Sequence, residues 1–249
     1  MSEAQTDTGE GIAWWAKFTL LGGCVAVLLM LVGPLGFRTG LLGVSGAVLL
    51  APGMAAALAA ISFLFALIGV FLTIRHGLTA ERMPVLVGGA LSLMILLNMA
   101  AQFSAASSVP PIHDITTAPE DPPAFDVIVA ERADAPNTLE YDAAALVEPT
   151  RTAYPFVQPL VTDLSPAMAF ERATVLVEEL GWELVNASEV DGLIEATDTT
   201  LFYGFKDDVA IRVRPEGTGA RIDLRSVSRV GQSDLGANAA RIKAFLDRF

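Results

Sequence analysis

The hydrophobic pattern of the chain changes once, near residue 104. Before it, apolar residues follow one another with almost no interruption. Ile12 to Val32 is a run of 21 residues with Lys17 as its one charge. A helix of that length spans about 30 Å, the thickness of a bilayer core. Trp14 and Trp15 stand at its start, where indole rings favour the interface, and Lys17 can snorkel toward headgroups. Thr39 to Ile74 is uncharged for 36 residues, too long for one straight span of about 30 Å. Pro52 and Gly53 predict a break there, giving a span over Gly53–Ile74 and an interfacial or half-inserted segment over Leu41–Ala51. Met83–Phe103 is the third run. Gly53, Ala55, Ala59, Gly69, Gly88 and Gly89 either let these helices pack closely or reflect composition alone.

After residue 104 the pattern becomes that of a water-soluble domain. Residues 105–125 contain Pro110, Pro111, Pro119, Pro122 and Pro123 and predict an extended linker, or a strap lying on the domain. The domain proper is expected over 126–249. Alternation at Val127 and Val129 predicts a short strand over Phe125–Glu131, and residues 132–154 read as a long surface loop. Phe156–Thr162 predicts an edge strand, because Pro159 cannot donate to a ladder. Ser165 followed by Pro166 predicts a helix start, with Ala169, Ala173, Leu176, Val177 and Leu180 on its apolar face and Gly181 at its end. Strands follow over Trp182–Ala187 and Leu193–Thr199, then a hairpin of Val209–Arg214 with Arg221–Ser226. Pairing Val213 with Ile222 and Ile211 with Leu224 buries all four and sets Arg212 opposite Asp223 on the other face. Ser233 or Asp234 predicts the cap of a last helix with Leu235, Ala239, Ile242, Leu246 and Phe249 on its apolar face. The fold class is α+β: a three-helix membrane anchor, then a two-layer domain of helix, four antiparallel strands and helix.

Charge sharpens this division. The chain has 249 residues and a formal net charge of −12. Residues 1–104 sum to zero, so the whole excess belongs to 105–249, with 24 acidic against 12 basic residues. That balance argues against a nucleic-acid partner. Cys24 is the one cysteine, which excludes an intrachain disulfide framework and a Cys-rich metal site. A cleavable signal peptide fits poorly, because no Lys or Arg precedes the first apolar run. Arg75 and Arg82 sit in the loop between spans two and three, whereas no Lys or Arg follows span three until Arg132. The positive-inside bias then predicts a multi-pass inner-membrane protein with a cytoplasmic N-terminus and a periplasmic C-terminal domain.

Four strings carry a family resemblance: IHDITT at Ile112–Thr117, EDPPAF at Glu120–Phe125, GFKDDVAIRV at Gly204–Val213 and IDLRSVSRVGQSDLGANAARI at Ile222–Ile242. In order and spacing they resemble the family catalogued as domain of unknown function 1499, over roughly residues 110–249. Membrane-anchored bacterial members are familiar in that family. Ala118 stands where the family usually has Asp. The resemblance implies no established activity, cofactor or catalytic residue.

Two constellations carry candidate chemistry. Arg225, Ser226, Ser228 and Arg229 precede the expected helix N-terminus at Ser233, and guanidinium forks, hydroxyls and free N–H groups favour an anion such as a phosphate, carboxylate or lipid headgroup. The internal alternative pairs those arginines with Asp207, Asp208 or Asp234. His113 with Asp114 is the one His-acid pair after residue 104, and with Asp207 or Asp208 it would make a periplasmic hydrolase or transferase if the groups converge. The alternative reading makes His113 a pin that holds the strap. Asp207 and Asp208 are adjacent and would face opposite sides of a strand, which disfavours a shared metal. No cofactor is expected. The preferred reading is a non-enzymatic protein whose partners are the lipid bilayer and an anionic ligand or envelope protein; a purely structural envelope component is the other alternative.

Overall fold

The computed structural model describes residues 11–249. It divides the chain into two compact units, Met1–Ser104 and Ala105–Phe249.

The first unit is built from α1 (Trp14–Arg38), α2 (Ala51–His76) and α3 (Arg82–Ser107). Three helices, Trp14–Arg38, Gly46–His76 and Arg82–Ser107, are long and apolar enough to cross a membrane. Pro52 and Gly53 do not break the second of them. A π-helical turn, Gly46–Leu50, runs directly into α2, with Ala51 N–H bonded to the Gly46 carbonyl. The wider turn makes room for the Pro52 ring, whose clash with the preceding turn would stop an ordinary α-helix. The helix termini also overrun the expected spans, α1 to Arg38 and α3 to Ser107. Small residues sit at the helix contacts. A Cβ on Gly88 would lie 2.2 Å from the Thr19 carbonyl oxygen, and one on Gly69 2.9 Å from the Trp15 ring. The Ser62 hydroxyl donates to the same Thr19 oxygen at 2.8 Å. Gly53, by contrast, faces open space.

The second unit is a mixed α/β domain around an open antiparallel sheet. Its strands are β1 (Asp114–Thr116), β2 (Leu160–Thr162), β3 (Glu183–Ser188), β4 (Leu193–Thr199), β5 (Lys206–Glu216) and β6 (Gly219–Ser228). The spatial order is β1-β6-β5-β4-β3, and β2 also pairs with β6. The two short strands therefore share one edge: β1 lies against Arg225–Val227 and β2 against Ala220–Ile222. The expected hairpin register holds, with Val213 opposite Ile222, Ile211 opposite Leu224 and Arg212 opposite Asp223. Helices α6 (Pro166–Glu179) and α7 (Ala237–Arg248) cover one face. The Ser165 hydroxyl caps α6 by accepting from Met168 N–H. Phe170, Leu176, Ile242 and Phe245 pack there on Ile194, Ile211, Ile222 and Leu224.

Several expectations change. The helix–four strands–helix core is present and the expected edge strand appears, shortened to Leu160–Thr162, but β1 adds a further edge strand to the sheet. Phe125–Glu131 is not a strand; Ile128–Glu131 forms a single helical turn, α4. Residues 132–154 contain a helix, α5 (Ala143–Ala153), whose N-cap Asp142 accepts from Ala145 N–H. Leu146 buries its side chain from that helix in the core. The last helix starts at Ala237 rather than beside Ser233. Leu235 is not on its core face; it precedes the helix with φ +54° and is half exposed.

Candidate functional site

The sheet has one ordinary face and one unusual one. Alternation along β6 sends Ile222 and Leu224 toward the helices and Asp223, Arg225 and Val227 to the opposite side. That opposite side is buried, yet it carries Asp114, Glu195, Asp208, Asp223 and Arg225. Its cover is the irregular segment between β1 and α5, which includes α4. Backbone groups in such a segment need partners when buried. The sheet's charged side chains supply them.

Arg225 is the centre of this layer. Its guanidinium grips both carboxylate oxygens of Asp114, at 3.1 and 2.7 Å, and donates to the carbonyls of Pro123 and Leu139. The rings of Phe125 and Tyr141 lie 5.6 and 5.5 Å from it. One side chain thus joins β1, the proline-rich strap and the approach to α5. Burial and the nearby Asp114 push the Tyr141 phenol up to about 12, against the opposing pull of Arg225. The phenol stays a donor at neutral pH.

Asp208 holds a second knot. It accepts from Arg132, from Thr197 Oγ1 at 2.7 Å and from Arg229 at 2.9 and 2.8 Å. Burial opposes its charge, but the hydrogen bonds from Arg229, Thr197 and Arg132 hold its carboxyl below the usual range. Arg132 and Arg229 also donate to the carbonyls of Asn137 and Glu131. Glu195, fully buried, accepts from the N–H groups of Asp126, Val127 and Ile128 and from Asn186. It caps α4 from a distance of nearly seventy residues in sequence. Asp223 collects Arg212, Arg214 and Arg221.

The sequence-predicted residues are dispersed by strand alternation. Arg225 and Arg229 point into the charged layer, where internal acceptors hold their guanidinium groups. Ser226 and Ser228 lie on the helix face and bond to Asn238, as does Arg241. The Ser233 hydroxyl accepts from Leu235 N–H, while Asp234 takes the N–H groups of Gly236 and Asn238. Burial raises the Asp234 carboxyl above its ordinary range, and those two backbone donors oppose the rise. Asp114 and Asp208 share the charged face, each occupied by arginine. Asp207 is on the helix face with Arg241. His113 contributes its carbonyl, which accepts from Ser228 N–H and Asn238, so the strap is pinned by backbone rather than imidazole. His113, Asp114, Asp207 and Asp208 do not converge on one cleft. Among the described residues no group of three or more His, Cys, Asp or Glu is arranged to hold a metal.

One cavity opens between α5 and the strap. It has a volume of about 130 Å³. Thr116, Thr117, Tyr141, Thr150, Arg151 and Gln158 give its polar lining, Pro119, Val147 and Val157 its apolar part, and no carboxylate lines it. Thr116 and Thr117 are tied to the Leu224 backbone. Thr150 is 7% exposed, and its hydroxyl is buried with no hydrogen-bond partner among the described residues. Arg151 stands exposed, bonded to Glu148 at 2.7 Å. The sequence signal for this site was the Asp142 cap, which predicts a helix start; the reading of 132–154 as loop concealed it.

Comparison with known families places this architecture. A family model described as Protein of unknown function (DUF1499) matches residues 114–249. The chain belongs to the DUF1499 family. The match begins at Asp114, so the Arg225–Asp114 pair, the Asp208 knot and the cavity all fall within the DUF1499 segment, and the three apolar helices lie outside it. No curated protein and no solved structure matches the chain.

The lowered Asp208 pKa fixes a pH signature. Its stabilisation is complete above the unfolded value of about 4 and is lost as pH falls through the lower folded value. At neutral pH, Asp208→Asn should cost about 3–5 kcal/mol, because buried Arg132 and partly buried Arg229 lose their shared counter-charge. Thermal unfolding of the full chain in mild detergent should show the gap from wild type narrowing below about pH 4. A gap unchanged down to pH 3 contradicts the assignment.

Proposed function

We propose that this DUF1499 protein is a membrane-anchored, non-catalytic binding protein whose ligand is a small anion held in the cavity between α5 and the strap. The carrying observation is a cavity lined by donors and free of carboxylates, with Thr150 in its wall, whose buried hydroxyl has no partner among the described residues. A buried hydroxyl without a partner costs roughly 1–3 kcal/mol, and an acceptor-bearing ligand removes that cost. Tyr141, Arg151 and the Gln158 amide add donors at the same site. No carboxylate lines the cavity, and exposed Arg151 can exchange its Glu148 partner for a ligand's oxygen, which favours a carboxylate or phosphate over a cation. Arg225 and Arg229, whose donors meet internal acceptors, act in this reading as the frame of the site rather than as its anion receptor.

The test is a thermal-shift series on the full chain in detergent, with acetate, lactate and inorganic phosphate. A ligand at a hundred times its Kd should add about 2.7 kcal/mol to stability. Thr150→Val should raise the ligand-free stability by about 1 kcal/mol and abolish the shift. No shift with any of the three anions counts against the anion reading.

The membrane arrangement of the proposal places the Arg75–Arg82 loop in the cytoplasm, with the N-terminus on the same side and the DUF1499 domain in the periplasm. Its support is the basic loop between the second and third apolar helices. A periplasm-active phosphatase fused after Phe249 should be active. Activity from a cytoplasm-only reporter at that position reverses the orientation.

A further inference from the structure

At the end of the sheet where the chain arrives from α3, one connection is uncharged and exposes large apolar side chains. Asp114, the first residue of β1, pairs with Val227, and Ser228 N–H bonds to the His113 carbonyl. At the same end Asp207 pairs with Ser228, and Arg229 N–H bonds to the Lys206 carbonyl. The β4–β5 connection, residues 200–205, therefore leaves the sheet at the end where β1 enters it. This connection reads Thr-Leu-Phe-Tyr-Gly-Phe and carries no charge. Leu201 is 93% exposed and Phe202 57% exposed. Tyr203 stacks on Phe205 with centroids 4.9 Å apart, giving the tip a stiff aromatic base.

A second apolar residue leaves from this end. Ile112 accepts a bond from Asp234 N–H, which brings the start of α7 beside the entry point. The next residue, Leu235, is 51% exposed and is the one described non-glycine residue with positive φ, at +54°. A bulky apolar side chain is rarely held in that conformation. Here the turn directs it outward and away from the helix core that its position in the sequence favoured.

We infer that the β4–β5 tip, with Leu201 and Phe202 leading and Leu235 beside the entry point, rests in the interfacial layer of the bilayer that the chain's own helices cross. Three observations select lipid as the occupant. First, the same chain carries three helices suited to a membrane. Second, Ser107 ends α3 and Asp114 begins β1, so seven residue steps, at most about 25 Å of extended chain, separate a membrane helix from this end of the sheet. Third, Leu, Phe and Tyr on an uncharged tip match the residues that partition into the headgroup boundary. The opposite end has Val190, 98% exposed in the β3–β4 turn between Glu189 and Asp191, a charged setting unsuited to that layer.

The experiment uses the full chain with Cys24→Ser, reconstituted in nanodiscs of phosphatidylethanolamine and phosphatidylglycerol. An environment-sensitive nitrobenzoxadiazole label is placed at Leu201→Cys or, as the comparison site, at Val190→Cys. Position 201 should show blue-shifted emission and at least twofold quenching when bromine-labelled phosphatidylcholine is included, with position 190 unquenched. Water-like, unquenched emission at 201 overturns the inference, as does equal quenching at the two ends. A Phe202→Cys label repeats the reading if Leu201→Cys fails to fold. Neither label lies at the α5 cavity, so anion binding and bilayer contact fail or succeed separately.

Discussion

The arginine at position 225 sets the constraint on which the rest of the domain depends. A guanidinium buried in a sheet face must have every donor met, or the sheet pays several kcal/mol of lost solvation. Asp114 meets two of those donors, and the Pro123 and Leu139 carbonyls meet others, with Phe125 and Tyr141 flanking the planar group. Only a flat, five-donor fork reaches all these directions at once. The requirement therefore fixes where the edge strand, the strap and the approach to α5 must lie. The cavity beside Tyr141 exists because these three pieces are held apart at a set spacing.

The same logic extends along the face. A sheet in a two-layer domain normally leaves its second face to water or covers it with another apolar layer. Here the cover is an irregular, proline-rich segment with little apolar surface and many backbone groups that lack secondary-structure partners. The charged face answers it group for group. Arginines 212, 225 and 229 take carbonyl oxygens of the cover, Arg132 reaches from the cover to Asp208, and Glu195 takes three consecutive N–H groups. Asp208 and Asp223 balance the arginines beneath. The charges thus act as a hydrogen-bonding surface for a loop. This account also locates part of the acidic excess, since four of the domain's acids are buried in this face and the rest remain outside it.

What could be read from the sequence follows from the range of the forces involved. The meander from β3 to β6 was legible because its alternation is local, and the Val213–Ile222 register followed from burying one face. Ser165 and Pro166 announced α6 through a cap that acts within one turn. The misreadings fall where the deciding partner is distant. Val127 and Val129 alternate like a strand, but Glu195 draws the preceding N–H groups into a helical turn. In α5 the apolar stripe is thin and Pro149 lies inside the helix, so its cap was a weaker signal than its composition. Pro52 marks a break in most helices, but a π turn absorbed it. Nothing local to Arg225 names Asp114, 111 residues away, as its partner rather than one of the nearer acids.

Hydrogen–deuterium exchange on the full chain in detergent, comparing Arg225→Gln with wild type, tests the role of Arg225 most directly. If this side chain holds the cover in place, β1 and residues 117–142 should exchange at least tenfold faster in the variant, while β3, β4 and α6 keep their protection. An unchanged strap, or equal loss of protection across the whole domain, would contradict the account.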